Sequence, residues 1–292
     1  MELERIAYLS TLARIWVVAR NSRAIQGLLE QVPFAQRLMR RVSARVRSRF
    51  TRARTRVWVR VKDGIAKGLW LYLSPVDEDK YWFGVHEPAL QQAVRELVSG
   101  RRVRVVYDVG AHIGFFALAT ARIIGVEGRV IAFEPDIDNV DRLRQHAARN
   151  GLTDRVEIVP AAVWCPSDSP EVRFKRGSRR SHGGVCARNA PPLADAEVIT
   201  VPTVTLDGLA EQGYPVPEVV KLDVEGGECE VLEGGERLFS QSGPVVLCEI
   251  HRVESARWAQ TWLEAKGYTC RWLTIENVFP RLLLATRSRT NS

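Results

Sequence analysis

Ionisable residues end several apolar runs in this 292-residue chain, and their spacing suggests chemistry at one edge of a sheet. Asp108 ends the run "VVYD", Glu134 ends "VIAFE" and Asp223 ends "VVKLD", while Glu249 and His251 end "VVLCEIH". In an open parallel sheet, ligands bind beyond the carboxyl ends of the strands. Five ionisable groups gathered at that edge would be typical of an active site.

The stretch "DVGAHIG" predicts a ligand-binding turn between a strand and a helix. We expect Gly110 to permit the tight turn and the close approach of a ligand, and Gly114 to let the helix pack against the strand. The free N–H groups at the start of the helix would favour an anion. A dinucleotide fingerprint needs glycines at positions 112 and 115, where this chain has His112 and Phe115. The spacing therefore disfavours a pyrophosphate and an NAD-dependent dehydrogenase.

The acids beside this turn predict a different cofactor. The turn would bind a carboxylate, and Asp108 would accept hydrogen bonds from an ammonium group. A carboxylate and an ammonium group side by side are the two ends of an amino acid. Glu134 lies 24 residues beyond Gly110, where an acid can bind both hydroxyls of a ribose. An amino acid and a ribose together describe S-adenosyl-L-methionine, whose site would also include His112, Pro135, Ala162 and Asp223. The alternative is that Asp108 and Glu134 only cap neighbouring helices.

Apolar runs of strand length alternate with helical stretches from about residue 85, which predicts a mostly parallel, doubly wound α/β sheet. The predicted strands are Val103–Asp108, Arg129–Phe133, Val156–Val163, Val219–Val224, Val245–Ile250, Tyr268–Leu273 and Arg281–Thr286. The predicted helices are Pro88–Ser99, Phe115–Ile124, Asn139–Asn150, Glu228–Phe239 and Ser255–Lys266. Residues 166–200 are rich in Gly, Ser, Arg and Pro, so we expect a functional insertion such as a lid.

Five segments occur in an order that resembles the FkbM family of S-adenosylmethionine-dependent methyltransferases. They are "DVGAHIGFFALATA", "VIAFEPDIDNVDRLRQHAARNG", "VPTVTLDGL", "VVKLDVEGGECEVLEGG" and "VVLCEIH". The resemblance covers about residues 81–251 and the closing strands, with His112 where the family frequently has Asn. It implies a class I methyltransferase-like (Rossmann-like) fold. The implied activity is transfer of a methyl group to a hydroxyl oxygen of a small-molecule, sugar or lipid-like acceptor.

An alcohol is a poor nucleophile at neutral pH, so methyl transfer to it needs a base or a metal ion. His251 is the candidate base because its ordinary pKa lies near neutrality, and Asp223 is the alternative, with Glu249 beside them. Glu225, together with His182 from the insertion, is assigned to the acceptor. Asp223, Glu225 and Glu249 could instead hold Mg²⁺, although the interpretation favours no metal.

Charge divides the chain into two regions. Residues 1–60 contain fourteen Arg and three Glu, a balance of +11, which leaves −3 for the remainder of a chain of net charge +8. We therefore predict a basic helical extension over 1–55, a β hairpin or linker over 56–84, and a cofactor-binding domain over 85–292. The extension could shield its own domain, contact an anionic membrane surface, or bind nucleic acid.

The composition indicates the cellular compartment in which we expect the protein. Five cysteines without a C-x-x-C pair argue against a disulfide framework and a zinc site, so we expect a reducing cytoplasm, with or without contact at the inner membrane face. Glu2 and Glu4 precede any apolar segment, which is unlike a secretory signal. Two alternatives are that the protein is an RNA methyltransferase or an inactive methyltransferase-fold protein that binds nucleic acid through the basic extension. The oligomeric state is left open, and it includes a homo-oligomer.

Overall fold

The structure, a computed structural model, describes residues 56–74, 77–99, 103–166, 170–176, 183–185, 197–274 and 279–287. The predicted helical extension over 1–55 and His182 lie outside these residues.

Thirteen strands and seven α-helices form in the described ranges. The strands are β1 (Val57–Arg60), β2 (Trp70–Leu73), β3 (Val105–Val109), β4 (Arg129–Phe133), β5 (Val156–Val159), β6 (Ala162–Val163), β7 (Glu171–Lys175), β8 (Gly184–Val185), β9 (Val198–Val204), β10 (Val219–Leu222), β11 (Val245–Ile250), β12 (Thr269–Trp272) and β13 (Arg281–Thr286). The helices are α1 (Asp79–Phe83), α2 (Pro88–Ser99), α3 (Phe115–Ile124), α4 (Ile137–Arg149), α5 (Leu206–Glu211), α6 (Glu228–Glu233) and α7 (Val253–Ala265), with a π-helical turn at Leu238–Ser242.

The main sheet has seven strands in the order β12-β13-β11-β10-β3-β4-β5. Strands β11, β10, β3, β4 and β5 run parallel to one another. Strand β13 lies between β11 and β12 and is antiparallel to both. Their apolar residues alternate between two cores, as the pleat of a strand requires. The core on one face includes α2, α3 and α4, and the other includes α5, α6 and α7. The predicted doubly wound, mostly parallel sheet is confirmed.

The hairpin β1–β2 packs into the same core as the sheet. Leu71 and Leu73 are fully buried with the residues of α3 and α4. His146 of α4 and Asn150, which follows α4, continue the contact, because the backbone N–H of Trp70 donates to Asn150 Oδ1 and that of Tyr72 donates to His146 Nε2, both at 2.8 Å. The hairpin is therefore an integral part of the domain, and the boundary predicted at residue 85 separates elements that pack together.

The insertion contains a small sheet that the sequence did not predict. Strands β6, β9, β7 and β8 lie side by side in that order, and β7 is antiparallel to both β8 and β9. Phe174 of β7 and Val201 of β9 form a separate small core with Ala162. The predicted strand Val156–Val163 is two strands, because the chain leaves the main sheet after Val159 and joins this second sheet at Ala162.

Within the described ranges, none of the helices combines the length and apolar character that spanning a bilayer requires.

Candidate active site

A cavity of about 620 Å³ opens at the carboxyl edge of the main sheet. Of the residues predicted for the site, it is lined by Gly110, His112, Glu134, Pro135, Ala162, Asp223 and Glu225. Glu249 and His251 lie behind Asp223, outside the lining. The structure thus gathers the predicted groups at one edge, in the arrangement expected of parallel strands.

Both glycines of the turn are required by the local backbone and packing. Gly110 has a φ of +80°, and a Cβ there would overlap the carbonyl oxygen of Asp223 on the neighbouring strand. Gly114 has a φ of +86°, and its Cβ would overlap Leu143 of α4. The tight turn predicted at Gly110 is confirmed, and Gly110 also lines the cavity, whereas Gly114 allows the start of α3 to pack against α4 rather than against its strand.

Glu134 is held in place by backbone groups around the turn. Its Oε2 accepts from the N–H of His112 at 2.8 Å, and its Oε1 accepts from the N–H of Asp136 at 2.9 Å and from Asn139 Nδ2 at 3.3 Å. The side chain lines the cavity while the residue is only 5% exposed. Burial raises the pKa of Glu134 to about 7, against the effect of these hydrogen bonds. The remaining acceptor capacity of this carboxylate suits a diol.

Asp108 does not line the cavity, which corrects its predicted contact with an ammonium group. It is 2% exposed, and its Oδ1 lies 2.9 Å from Nζ of Lys221. Nζ also donates to the carbonyl oxygen of Gly110 at 3.3 Å and lies 3.5 Å from Asp223 Oδ2. Asp108 therefore acts on the cavity through Lys221, which does line it.

Lys221 was missed in the sequence, although a charged residue inside the apolar run "VVKLD" was the available signal. It is 4% exposed. Burial by itself would lower the pKa of Lys221, but the carboxylates of Asp108 and Asp223 outweigh burial and hold that pKa above its usual value. The lysine is a fixed positive charge shared by the turn and by the end of β10.

His251 lies among carboxylates at the far end of the cavity. Its Nδ1 is 2.8 Å from Glu228 Oε1, and its Nε2 is 3.3 Å from Glu225 Oε2 and 3.8 Å from Asp223 Oδ1. Burial lowers the pKa of His251, but the bond to Glu228 and the charges of Glu225 and Asp223 raise it to about 9. The carboxylates around His251 therefore favour its protonated form, and its role as the base stays a prediction.

Glu249 completes this group of side chains. It is 9% exposed, and burial together with the charges of Asp223 and Glu87 raises its pKa to about 8. One ligand atom each from Asp223, Glu249 and His251 lie within 4.8 Å of one another, close enough to share a metal ion.

A further wall of the cavity comes from residues just before α2, which the sequence analysis did not assign to the site. Tyr81 Oη lies 3.3 Å from His112 Nδ1, and His86 Nε2 lies 2.9 Å from Glu87 Oε1. Glu87 has a φ of +46°, an uncommon conformation for a residue other than glycine. Functional sites are enriched in such strained residues, but the sequence offered no local signal for this one.

Residues of the insertion, which was predicted to be a functional segment, form one side of the cavity. Phe174, Gly183 and Val185 contribute to the lining. At the end of β7, Arg176 Nη2 lies 2.7 Å from Asp136 Oδ1, and Arg176 Nη1 lies 2.9 Å from Glu197 Oε1. This arginine fastens the small sheet to the start of α4, next to Glu134.

The strand order, with an antiparallel strand inserted beside the last parallel one, and the cavity at the carboxyl edge define a class I methyltransferase-like fold. The family model for the methyltransferase FkbM domain matches residues 108–270, more than half of the chain. The chain therefore belongs to the FkbM methyltransferase family, which confirms the family and the enzyme class that the five segments predicted.

Two curated methyltransferases are similar to this chain. The chain is 34% identical to the hexuronic acid methyltransferase AglP of Haloferax volcanii, over 50% of this chain and 56% of that protein. It is 30% identical to the 31-O-demethyl-FK506 methyltransferase FkbM of Streptomyces tacrolimicus, over 52% of this chain and 67% of that protein. The chain thus spans little more than half the length of the first of these relatives.

Among solved structures, the methyltransferase FkbM from Methylobacillus flagellatus KT aligns with a TM-score of 0.46 and 17% identity. That alignment covers 63% of this chain and 44% of the other. The O-methyltransferase from Bacillus cereus in complex with SAH aligns with a TM-score of 0.41 and 16% identity, over 67% and 79% of the two chains.

Proposed function

We propose that the protein transfers the methyl group of S-adenosylmethionine to a hydroxyl oxygen of a sugar, with a hexuronic acid unit as the preferred acceptor. The observation that carries the proposal is that one cavity is lined by Glu134 after β4 and by Asp223 and Glu225 after β10. We distinguish two ends of this cavity by these residues. The cofactor end is formed by the turn after β3 and by Glu134, and the acceptor end by Asp223 and Glu225 after β10.

The cofactor end offers the groups that S-adenosylmethionine needs. Glu134 would accept both ribose hydroxyls, since its carboxylate is fixed by three N–H donors and lines the cavity. Lys221 lies beneath the turn, where its charge favours the carboxylate of the methionine portion. The aromatic rings of Phe133 and Trp164 line the same cavity and could cover the adenine.

The acceptor end supplies a route for the proton of the hydroxyl group. During transfer the bond from sulfur to methyl breaks while a bond from oxygen to methyl forms, and the sulfonium becomes a thioether. The hydroxyl proton leaves to a carboxylate. Asp223 is placed for this step because it lines the cavity, whereas His251 lies 3.8 Å behind it with Nδ1 held by Glu228. Binding the two reactants in line supplies the rest of the catalysis.

The preference for a hexuronic acid rests on the first relative and on the charges of the cavity. AglP is a hexuronic acid methyltransferase, and it matches half of this chain. The cavity is also lined by Arg56 and Lys80, from the hairpin and from α1. These cations could pair with the carboxylate of an acidic sugar.

The test is methyl transfer from isotopically labelled S-adenosylmethionine to methyl β-glucuronide and to its neutral analogue, methyl β-glucoside, followed by mass spectrometry. We expect label on the glucuronide in an ether, which survives mild alkali, and a lower rate with the glucoside. Label that is lost in mild alkali would identify a methyl ester and contradict O-methylation of a hydroxyl. Equal rates on both sugars would contradict the preference for an acid.

The matched variants are Asp223→Asn and Glu254→Gln, the latter an exposed acid at the start of α7. Asp223→Asn should lower turnover by roughly 100-fold or more, since a general base contributes about 10²–10⁴-fold. Glu254→Gln should leave the rate unchanged. Full activity of Asp223→Asn would remove Asp223 from the proton route.

A further inference from the structure

We propose that Asp223, Glu249 and His251 bind a first-row divalent metal ion at the acceptor end of the cavity. Asp223 and His251 follow two neighbouring parallel strands, β10 and β11, and Glu249 lies near the end of β11. Their ligand atoms, two carboxylate oxygens and an imidazole nitrogen, lie within 4.8 Å of one another. This set differs from the all-carboxylate set considered from the sequence, because it includes His251.

The first independent observation is the state of Glu249. It is 9% exposed, and its carboxylate makes no hydrogen bond to any residue in the described ranges. A buried carboxylate without a hydrogen-bond donor is costly unless a cation is near. Because a Glu249 oxygen lies in the same small group as Asp223 and His251, a shared metal ion would supply that cation.

The second observation is how His251 is oriented. The fully buried Glu228 holds Nδ1 at 2.8 Å and is itself fixed by the N–H of Gly226 at 2.8 Å. Nε2 is thereby turned toward Glu225, 3.3 Å away, and toward Asp223, 3.8 Å away. A carboxylate that binds one ring nitrogen while the other faces a metal is the usual second layer of a metal site, and it sets both tautomer and ring orientation.

The local charge also favours a cation. Asp223, Glu225, Glu228 and Glu249 surround one imidazole, and the ammonium of Lys221 lies 2.9 Å from Asp108 and 3.5 Å from Asp223. A proton on His251 offsets one of these negative charges, whereas a divalent ion offsets two. One nitrogen and two carboxylate oxygens suit Mn²⁺, Zn²⁺ or Fe²⁺ better than Mg²⁺, which prefers oxygen ligands alone.

The consequence for catalysis rests on the proposed function. A divalent ion held by Asp223 would lower the pKa of a hydroxyl group bound nearby and so assist its deprotonation. It would also reduce the negative charge that an acidic sugar meets at this end of the cavity.

The site is tested by titrating the full-length protein, stripped of metal with EDTA and dialysed, with Mn²⁺ while the electron paramagnetic resonance signal of free Mn²⁺ is recorded. No cofactor or acceptor is added, so the result does not depend on methyl transfer. We expect one Mn²⁺ per chain at micromolar concentrations. Equimolar Zn²⁺ should displace it, and equimolar Mg²⁺ should not. Displacement by Mg²⁺ as effective as that by Zn²⁺ would overturn the assignment of His251 as a ligand.

Variants separate this site from nonspecific binding. Glu249→Gln and His251→Gln should each weaken Mn²⁺ binding at least tenfold, and Glu228→Gln, which changes only the orienting contact, by roughly 10- to 100-fold. Glu254→Gln is the control and should bind as the native protein does. S-adenosylmethionine affinity, measured on every variant, verifies that each is folded. Mn²⁺ binding that is absent, or that survives both ligand substitutions, would overturn the proposal and leave an acid–imidazolium network in its place.

Discussion

The two ends of the cavity are built in different ways. At the cofactor end, backbone geometry fixes the groups: Gly110 has a positive φ, and the N–H groups of His112 and Asp136 hold one carboxylate, Glu134. At the acceptor end, the positions depend on contacts between charged side chains around His251. A site that is fixed by backbone geometry has a recognisable sequence motif. A site that is fixed by contacts between charged side chains depends on which strands are neighbours in the sheet.

The buried pair of Asp108 and Lys221 links the two ends and should give the largest effect. Lys221→Met leaves Asp108 buried without its partner, so we expect the free energy of unfolding to fall by about 3–5 kcal/mol. Urea denaturation measures this loss. Adding Asp108→Asn to the same chain removes the orphaned charge and should restore much of the stability. A loss below about 1 kcal/mol in the single variant would show that water reaches the pair and that the two ends are independent.

Removing Glu134 should affect the cofactor end alone. Glu134→Ala takes two charge-assisted hydrogen bonds from the ribose, each contributing about 1.5 kcal/mol, so S-adenosylmethionine affinity should fall roughly 100-fold. Calorimetric titration measures the change, with NAD as a ligand that should not bind. Asp141→Ala, at an exposed acid on the helix α4 that follows Glu134, is the matched control and should bind normally. Unchanged affinity of Glu134→Ala would remove Glu134 from the cofactor site.

The pKa of Glu134 predicts opposite pH dependences for cofactor binding and for stability. With a pKa of about 7, the carboxylate that accepts ribose hydroxyls is lost as the pH falls, and affinity should drop up to about tenfold per pH unit below 7. Because this pKa is raised above that of an unfolded chain, burial of the ionised group costs stability as the pH rises from about 4.5 to 7. The cost reaches about 3 kcal/mol at pH 8.

Other charged groups near Glu134 are separable from this effect. Asp136, whose N–H binds Glu134, has a pKa lowered by Arg176 against the effect of burial, so it stays ionised across this range. Glu134→Gln should flatten both curves. The measurements are calorimetric affinity and urea unfolding between pH 5 and pH 8. Affinity in the native protein that does not vary with pH would contradict the titration of Glu134 in the cofactor site.

The same contrast explains what the sequence could predict. The apolar run Phe115–Ile124 lies between Gly114 and Gly125, so the bounds of α3 were correct. One helix was predicted over Glu228–Phe239, but α6 ends at Glu233, and a Cβ at Gly234 would overlap the carbonyl oxygen of Trp164, so that only glycine fits there. That obstruction comes from a distant part of the chain, and no local pattern reports it.

The residues of the site divide in the same way. Glu134 and Gly110 were found because a strand, a turn and the start of a helix are adjacent in sequence. Lys221 pairs with Asp108, a residue 113 positions earlier, only because β10 lies beside β3. The sheet within the insertion was missed for a similar reason, since its strand β7 pairs with β9, which is distant from it in sequence.

The smallest effect should come from Arg176, which joins the insertion to the cofactor end. It contacts Asp136, which in turn donates its backbone N–H to Glu134, so Arg176 lies one contact away from the proposed ligand. Arg176→Ala should lower the free energy of unfolding by about 1 kcal/mol, as for a partly exposed ion pair. Cofactor affinity should fall only about threefold. Arg144→Ala, which removes an exposed pair with Asp141 on α4, is the control and should change neither quantity. A loss of affinity as large as that of Glu134→Ala would show that side-chain charge also builds the cofactor end, and the contrast between the two ends would fail.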